Sequence, residues 1–323
     1  VYDTGKDSSA EFGLAFSTVG ADENGDDFLY ICDNEKVTCV NITNEGLQTI
    51  HNLSRDMGNI NHLKCLGDSL LFLCTQSGYS VICDTKTDEI FQLNYSATIL
   101  QLLACSSVLD CFFTSGYLDY DGNQVIYIWD AKTAHVIGHM ECDYNSLFPS
   151  HFKVSKEFIF TYNRSGESAG TINKYSIEYG KKSLFFKETF AIISIFTIAL
   201  DYVFIGFHDG SLIRKNSSSG AEHTFPAGHK SEITALCSYD NYVYSADSSG
   251  VIIKWNIHSC KKQIISTNHT ARIIEMTADE QCLYTWDSSK QLYLWKINSP
   301  SKKLIFKNAA GIAHYSRLCL HEG

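Results

Sequence analysis

"DSSGVIIKWNI" occupies residues 247–257 and "DSSKQLYLWKI" residues 287–297, one phrase written twice forty residues apart. Extended backwards, the two become "GHKSEITALCSYDNYVYSADSSGVIIKWNI" from Gly228 and "NHTARIIEMTADEQCLYTWDSSKQLYLWKI" from Asn268. Each holds a His and, twenty-six residues later, a Trp. Apolar residues recur at every second position, and Ser, Asp, Asn and Gly separate the runs. That is the pattern of short, half-buried antiparallel strands, and no helical periodicity competes with it.

The end of the same strand, marked by Trp255 and Trp295, can be followed through the rest of the chain. It is placed at Asn41 in "KVTCVNI", Cys83 in "GYSVICD", Trp129 in "QVIYIWD", Tyr175 in "TINKYSI" and Lys215 in "SLIRKN", with successive gaps of 42, 46, 46, 40, 40 and 40 residues. An apolar or aromatic run precedes each marker. Self-similarity at such a period is the mark of a repeat architecture.

With Gly228-His229, Trp255 and the literal Trp129-Asp130 pair, the chain resembles the WD-repeat family over nearly its whole length. The resemblance implies an all-β fold, a seven-bladed β-propeller of four-stranded antiparallel blades. The blades are expected at about 11–53, 58–95, 97–141, 148–188, 190–226, 228–267 and 268–308. Residues 309–323 then either close the ring by sharing a blade with the N-terminal segment, the favoured arrangement, or begin a further domain. A blade has two apolar faces and cannot bury both alone, whereas a ring buries each against a neighbour.

In that family a turn Asp, a His, a strand Ser or Thr and the Trp form a buried hydrogen-bond chain. Carried over residue by residue, this gives His229, Ser245 and Trp255, then His269, Thr285 and Trp295. Ser249 and Ser289 stand in the Asp slot, so the chain closes only if Asp247 or Asp287 substitutes. Blades 3 and 4 have extra residues before their third strands, "TSGYLDYDGNQ" and "NRSGESAGT", expected to project as long loops.

Composition narrows the function. A net charge of −10 argues against nucleic acid as a partner. The longest apolar run, "FAIISIFTIAL" at 190–200, is too short to cross a bilayer, so no membrane insertion is expected. Twelve cysteines, many alternating with apolar residues in strand-like runs, read as buried thiols and place the chain in the cytoplasm. Six Asn-x-Ser/Thr sequons, at Asn41, Asn52, Asn94, Asn163, Asn216 and Asn268, point weakly towards secretion, as a receptor-like or hydrolytic propeller.

No catalytic constellation stands out. Gly166-Glu167-Ser168-Ala169-Gly170 spells a nucleophile elbow but lies between strands, without the helix such a turn requires. No Cys-x-x-Cys or His-x-x-x-His pair and no phosphate-binding glycine loop occurs, so neither metal nor cofactor is expected. Lysines after the third strands interleave with acids from neighbouring turns and read as a solvated face.

Family resemblance places peptide docking at the channel rim. Position within the repeat nominates Asn59, Gln76, Thr98, His208, Glu232, Ser248, Arg272 and Ser288, with Tyr117, Asp119 and Tyr120 from the blade 3 loop. Two tyrosines beside an acid suit a partner peptide carrying basic residues. The chain is thus expected to be a non-enzymatic scaffold, one domain of a larger intracellular protein. Recruiting substrates to a ubiquitin ligase or kinase is the narrower alternative.

Overall fold

The computed structural model describes residues 16–19, 28–33, 36–41, 47–52, 60–65, 70–75, 80–84, 89–93, 99–106, 109, 111–117, 124–141, 152–165, 169–178, 182–188, 191–266, 269, 271–289, 291–297 and 302–307. Among these residues there is no helix, and the strands form seven four-stranded antiparallel sheets, each a meander of four consecutive strands.

Two compact units hold them. In residues 6–149 the first sheet comprises Phe16–Val19, Phe28–Asp33, Lys36–Asn41 and Leu47–Asn52 (β1 to β4). The second comprises Ile60–Cys65, Leu70–Thr75, Ser80–Asp84 and Ile90–Gln92 (β5 to β8). The third comprises Ile99–Ser106, Cys111–Tyr117, Gln124–Asp130 and Val136–Glu141 (β9 to β12).

In residues 150–309 the fourth sheet comprises Phe152–Val154, Phe158–Ser165, Ala169–Ser176 and Lys182–Glu188 (β13 to β16). The fifth comprises Ile193–Ala199, Tyr202–Phe207, Leu212–Asn216 and Glu222–Thr224 (β17 to β20). The sixth comprises Ile233–Tyr239, Tyr242–Asp247, Ile252–Asn256 and Lys262–Ser266 (β21 to β24). The seventh comprises Ile273–Ala278, Cys282–Asp287, Gln291–Lys296 and Lys302–Lys307 (β25 to β28). The terminal segment 309–323 lies outside the described residues.

Register makes the repeat exact to the residue in six sheets. The marker at the end of the third strand pairs with the second residue of the second strand: Cys83 with Leu71, Trp129 with Phe112, Tyr175 with Ile159, Lys215 with Val203, Trp255 with Val243 and Trp295 with Leu283. In the first sheet that position is Val40, opposite Leu29, so the marker at Asn41 is misplaced by one residue. Strand side chains alternate between faces, so a slip of one puts the marker on the wrong face.

The extra residues of the fourth sheet also depart from expectation. They lengthen the hairpin instead of forming a long loop: Asn163 pairs with Thr171, Arg164 with Gly170 and Ser165 with Ala169. Of the Gly166–Gly170 motif, Ala169 and Gly170 belong to β15, and residues 166–168 lie outside the described residues. In the third sheet, β10 reaches Tyr117, opposite Gln124.

The core lies between sheets. Phe160, Ile172, Phe185, Ile193, Phe196 and Phe207 join the fourth to the fifth. Phe204, Phe225, Ile233, Val243 and Trp255 join the fifth to the sixth. Ala235, Tyr244, Ile273, Leu283 and Trp295 join the sixth to the seventh. In the other unit Phe72, Ile82, Phe112 and Trp129 join the second to the third. Each fully buried large side chain contributes about 1.5–3 kcal/mol, so the sheets joined by these clusters depend on one another.

Within the sixth sheet the buried polar chain is complete. The Trp255 indole N–H donates to Ser245 Oγ (2.7 Å), Ser245 Oγ lies 2.6 Å from His229 Nε2, and His229 Nδ1 lies 3.0 Å from Asp247 Oδ2. Asp247 thus takes the role that the Ser249 slot leaves empty. Its other oxygen accepts from Ser249 N and Oγ and from Val251 N. The donors run in one consistent order, the indole N–H to Ser245, the Ser245 hydroxyl to Nε2 of a neutral His229, and the His229 Nδ1–H to an ionised Asp247.

In the seventh sheet Trp295 donates to Thr285 at 2.9 Å, while His269 Nε2 stands 3.5 Å from Thr285 and Nδ1 3.8 Å from Asp287. The third sheet has a shorter version, Trp129 to Thr114 at 2.8 Å. A buried indole N–H requires an acceptor, so each Trp marker comes with a hydroxyl on the second strand. Where the marker is Lys215, the corresponding residue is Ile205.

Three of the third-to-fourth-strand turns share one device. Asp130, Asn216 and Asn256 each follow a marker. Their side-chain oxygens accept from the backbone N–H groups two and three residues on, at 2.7–3.1 Å. Asn256 therefore does what Asp of a Trp-Asp pair does here, because the turn needs an Asx oxygen and not a charge.

Candidate partner-binding rim

In the fifth, sixth and seventh sheets the turn after the second strand is tied to the residue just before the first. His208 N donates to Ile192 O at 3.0 Å, Ser248 N to Glu232 O at 2.8 Å, and Ser288 N to Arg272 O at 2.8 Å. These bonds bring His208, Glu232, Ser248, Arg272 and Ser288 to the same end of their sheets.

The side chains then bridge between sheets. Arg272 Nη1 and Nη2 lie 3.0 and 3.1 Å from the two oxygens of Glu232, a bidentate pair, and His208 Nε2 lies 3.3 Å from Glu232 Oε1. Three of the nominated residues therefore form one ladder across three sheets. Arg272 and His208 remain about half exposed, at 48% and 47%, against 21% for Glu232. The carboxylate is the enclosed member and the two nitrogen bases face outwards.

Asn59, Gln76, Thr98, Asp119 and Tyr120 lie outside the described residues. Tyr117 ends β10, and its place in the ladder is all that is described. Among the described residues no group of three His, Cys, Asp or Glu could hold a metal ion, and no helix is long and apolar enough to cross a membrane.

No protein-family profile matches the sequence, and no curated protein sequence is similar to it. Solved structures do match. A computationally designed protein, Ika8, is 16% identical, with 96% of this chain and 92% of that one covered at a TM-score of 0.65. BamB from Moraxella catarrhalis is also 16% identical, with 88% and 85% covered at 0.57. A chain of the mitotic checkpoint complex is 12% identical, with 91% of each covered at 0.61. The fold is a β-propeller.

As a propeller, the molecule can be compared blade by blade, and two features escaped the sequence reading. Glu232 and Arg272 were nominated separately, although opposite charges at one repeat position, forty residues apart, already pointed to a bridge between adjacent blades. Lys174, Arg214 and Lys254 recur at the same spacing just before the marker. Each lies over an aromatic ring of its own blade: Lys174 over Phe158 (4.3 Å), Arg214 over Tyr202 (4.9 Å) and Lys254 over Tyr242 (3.8 Å). Lys174 also donates to Ser217 O and Arg214 to His258 O of the following blade. Lys174 and Arg214 thus rest on a ring of their own blade and reach a hairpin carbonyl of the next, while Lys254 makes the ring contact.

Proposed function

We propose that this propeller is a non-enzymatic interaction scaffold of the WD-repeat kind, a domain of a larger cytoplasmic protein that binds a peptide or protein partner at its rim. The observation that carries the reading is the His208–Glu232–Arg272 ladder. It brings hydrogen-bonding side chains from three successive blades into one arc, with His208 and Arg272 half exposed, at strand ends whose backbone bonds order them before any partner arrives. Likeness to a chain of the mitotic checkpoint complex, itself a protein assembly, supports protein partners in general. A preference for basic residues in the partner rests on the sequence of Tyr117, Asp119 and Tyr120.

The cytoplasmic assignment is supported by burial of Cys83, Cys111 and Cys237. It is also supported by the sequon Asn163, which sits within a paired strand, and by Asn216, whose amide oxygen holds a turn. Thiol titration of the native protein under denaturing conditions tests it: close to twelve thiols is the expected result, and close to none overturns it.

The binding role is tested by capture from native cell extract, followed by titration of the recovered partner with purified intact protein and with Glu232→Lys/Arg272→Glu. Saturable binding that the double substitution removes is the expected outcome. Binding untouched by the substitution moves the site away from the rim, and turnover of a small substrate without any saturable partner overturns the scaffold reading.

A further inference from the structure

We propose that the arc on blades 5 to 7 takes an acidic side chain, Asp or Glu, from the partner's segment. The proposal rests on the rim reading above and specifies its chemistry.

The argument is an inventory of donors and acceptors. Glu232 supplies the one carboxylate of the ladder, and it is already occupied: Oε2 faces Arg272 Nη1, while Oε1 faces both Arg272 Nη2 and His208 Nε2. An incoming Lys or Arg would have to displace a bidentate guanidinium, among the stronger charge-assisted pairs available to side chains. An incoming carboxylate displaces nothing. Arg272 has five N–H donors and directs two at Glu232, leaving the others on a side chain that is half exposed.

Beside it, the hydroxyls of Ser248 and Ser288 make no hydrogen bond among the described residues. Their backbone N–H groups are already committed to Glu232 O and Arg272 O, which fixes the two serines against the ladder. The arc and its turns therefore offer a fixed guanidinium, an imidazole and the hydroxyls of Ser248 and Ser288 against Glu232, which is satisfied, and Asp209, whose Oδ1 accepts from Ser211 N and Oγ. Glu232 acts as a positioning residue that holds Arg272 in place across the blade boundary, where a lone Arg would lose side-chain entropy on binding.

The test is selection of randomised displayed peptides on the intact propeller. Individual synthetic peptides from the selection are then titrated against the intact protein, Arg272→Met and Glu232→Gln, each variant first shown to unfold at the same temperature as the parent. The expected result is enrichment of Asp or Glu at a fixed position. Affinity should fall about tenfold or more in Arg272→Met, the scale of losing one charged partner. It should be lost equally when the peptide's acid is replaced by its amide.

Glu232→Gln separates the two charge preferences: basic peptides lose their carboxylate partner and weaken sharply, whereas acidic peptides stay bound through Arg272, which can still donate to the Gln amide oxygen, with at most a small loss from its weaker positioning. Rim-dependent peptides that are basic or neutral, lost in Glu232→Gln and indifferent to Arg272→Met, overturn this proposal while the rim reading stands. Peptides that bind saturably yet ignore both substitutions, or no saturable peptide at all, overturn the rim reading and this proposal with it.

Discussion

Blades 6 and 7 carry nearly the same four residues and hold them at different distances. In blade 6 the links from Trp255 to Ser245, His229 and Asp247 measure 2.7, 2.6 and 3.0 Å; in blade 7 the matching links measure 2.9, 3.5 and 3.8 Å. Beside the exchange of Ser245 for Thr285, the two blades differ in the residue before the His. A Cβ on Gly228 would stand 2.6 Å from Trp255 Cη2, so only glycine lets that segment close onto the indole. Blade 7 has Asn268 at this place. Its His269 instead meets the edge of the Tyr293 ring at a centroid distance of 4.9 Å, where blade 6 has Ile253. Backbone approach, set by one glycine, decides whether a polar quartet becomes a tight network.

The largest effect should come from removing the acid of each blade. Asp247→Ala leaves His229 and the turn donors of Ser249 and Val251 without their acceptor in a buried site, and should cost about 3–5 kcal/mol. Asp287→Ala should cost less, about 2–3 kcal/mol: it also leaves the turn donors Ser289 N and Gln291 N without their acceptor, but its His contact is already long. Urea unfolding of both variants decides the matter, and equal losses would break the comparison.

Gly228→Ala should come next, at about 2 kcal/mol for forcing a methyl against a buried ring. It should also convert blade 6 towards the geometry of blade 7. The signature is coupling: in the Gly228→Ala background, Asp247→Ala should cost less than it does alone. Strict additivity would mean that glycine is not what tightens the network.

Acid should act in the same direction on both partners of blade 6. Burial pushes His229 below the ordinary histidine value, more than Asp247 raises it. The unfolded chain therefore takes up a proton before the folded one does, and stability present at pH 7.5 declines as pH falls through about 6.5. Burial pushes Asp247 up, but hydrogen bonds from Ser249, Val251 and His229 outweigh it and hold the carboxyl below its usual range. Its contribution persists above about pH 4 and is lost in stronger acid. Unfolding midpoints at pH 7.5 and 5.5 should differ more for the parent than for His229→Gln, and an unchanged difference would remove His229 as the cause.

What the sequence made legible follows the same logic. Alternation and a forty-residue period are visible wherever a Trp anchors the phrase, and the grouping of His229, Ser245 and Trp255 is what the resemblance to the WD-repeat family implies. The first blade has no aromatic marker, so Asn41 was taken for Val40. Asp247 stands two residues before the Ser249 slot, and such an offset in a turn changes which side chain reaches the His without changing the pattern. In "NRSGESAGT" small polar residues spell a loop, yet the ladder through Ser165 and Ala169 continues, because cross-strand backbone bonds are indifferent to that composition. On the rim, spacing brought His208, Glu232 and Arg272 to one end of their blades. It could not show that Glu232 is enclosed by the other two, since that depends on how adjacent blades rotate.

The smallest effect lies in the turn that follows the blade 6 marker. Ala134, Gly220 and Cys260 occupy the same place in three blades, four residues after the Asx side chain, and each donates its N–H to that residue's carbonyl at 3.0 Å. All three adopt left-handed backbone, with φ of 55°, 73° and 58°. Blade 5 meets this demand with glycine, while blades 3 and 6 hold an L-residue in a conformation that costs about 1–2 kcal/mol. Cys260→Gly removes that strain but gives the unfolded chain more freedom, about 0.4–1 kcal/mol in the opposite sense. The net gain should be a few tenths of a kcal/mol to about 1, read as a higher urea midpoint with an unchanged slope. A gain would widen the margin of blade 6 over blade 7, and a loss would mean that the Cys260 side chain, half-buried beside Trp255 and Ile257, contributes more by packing than its backbone costs.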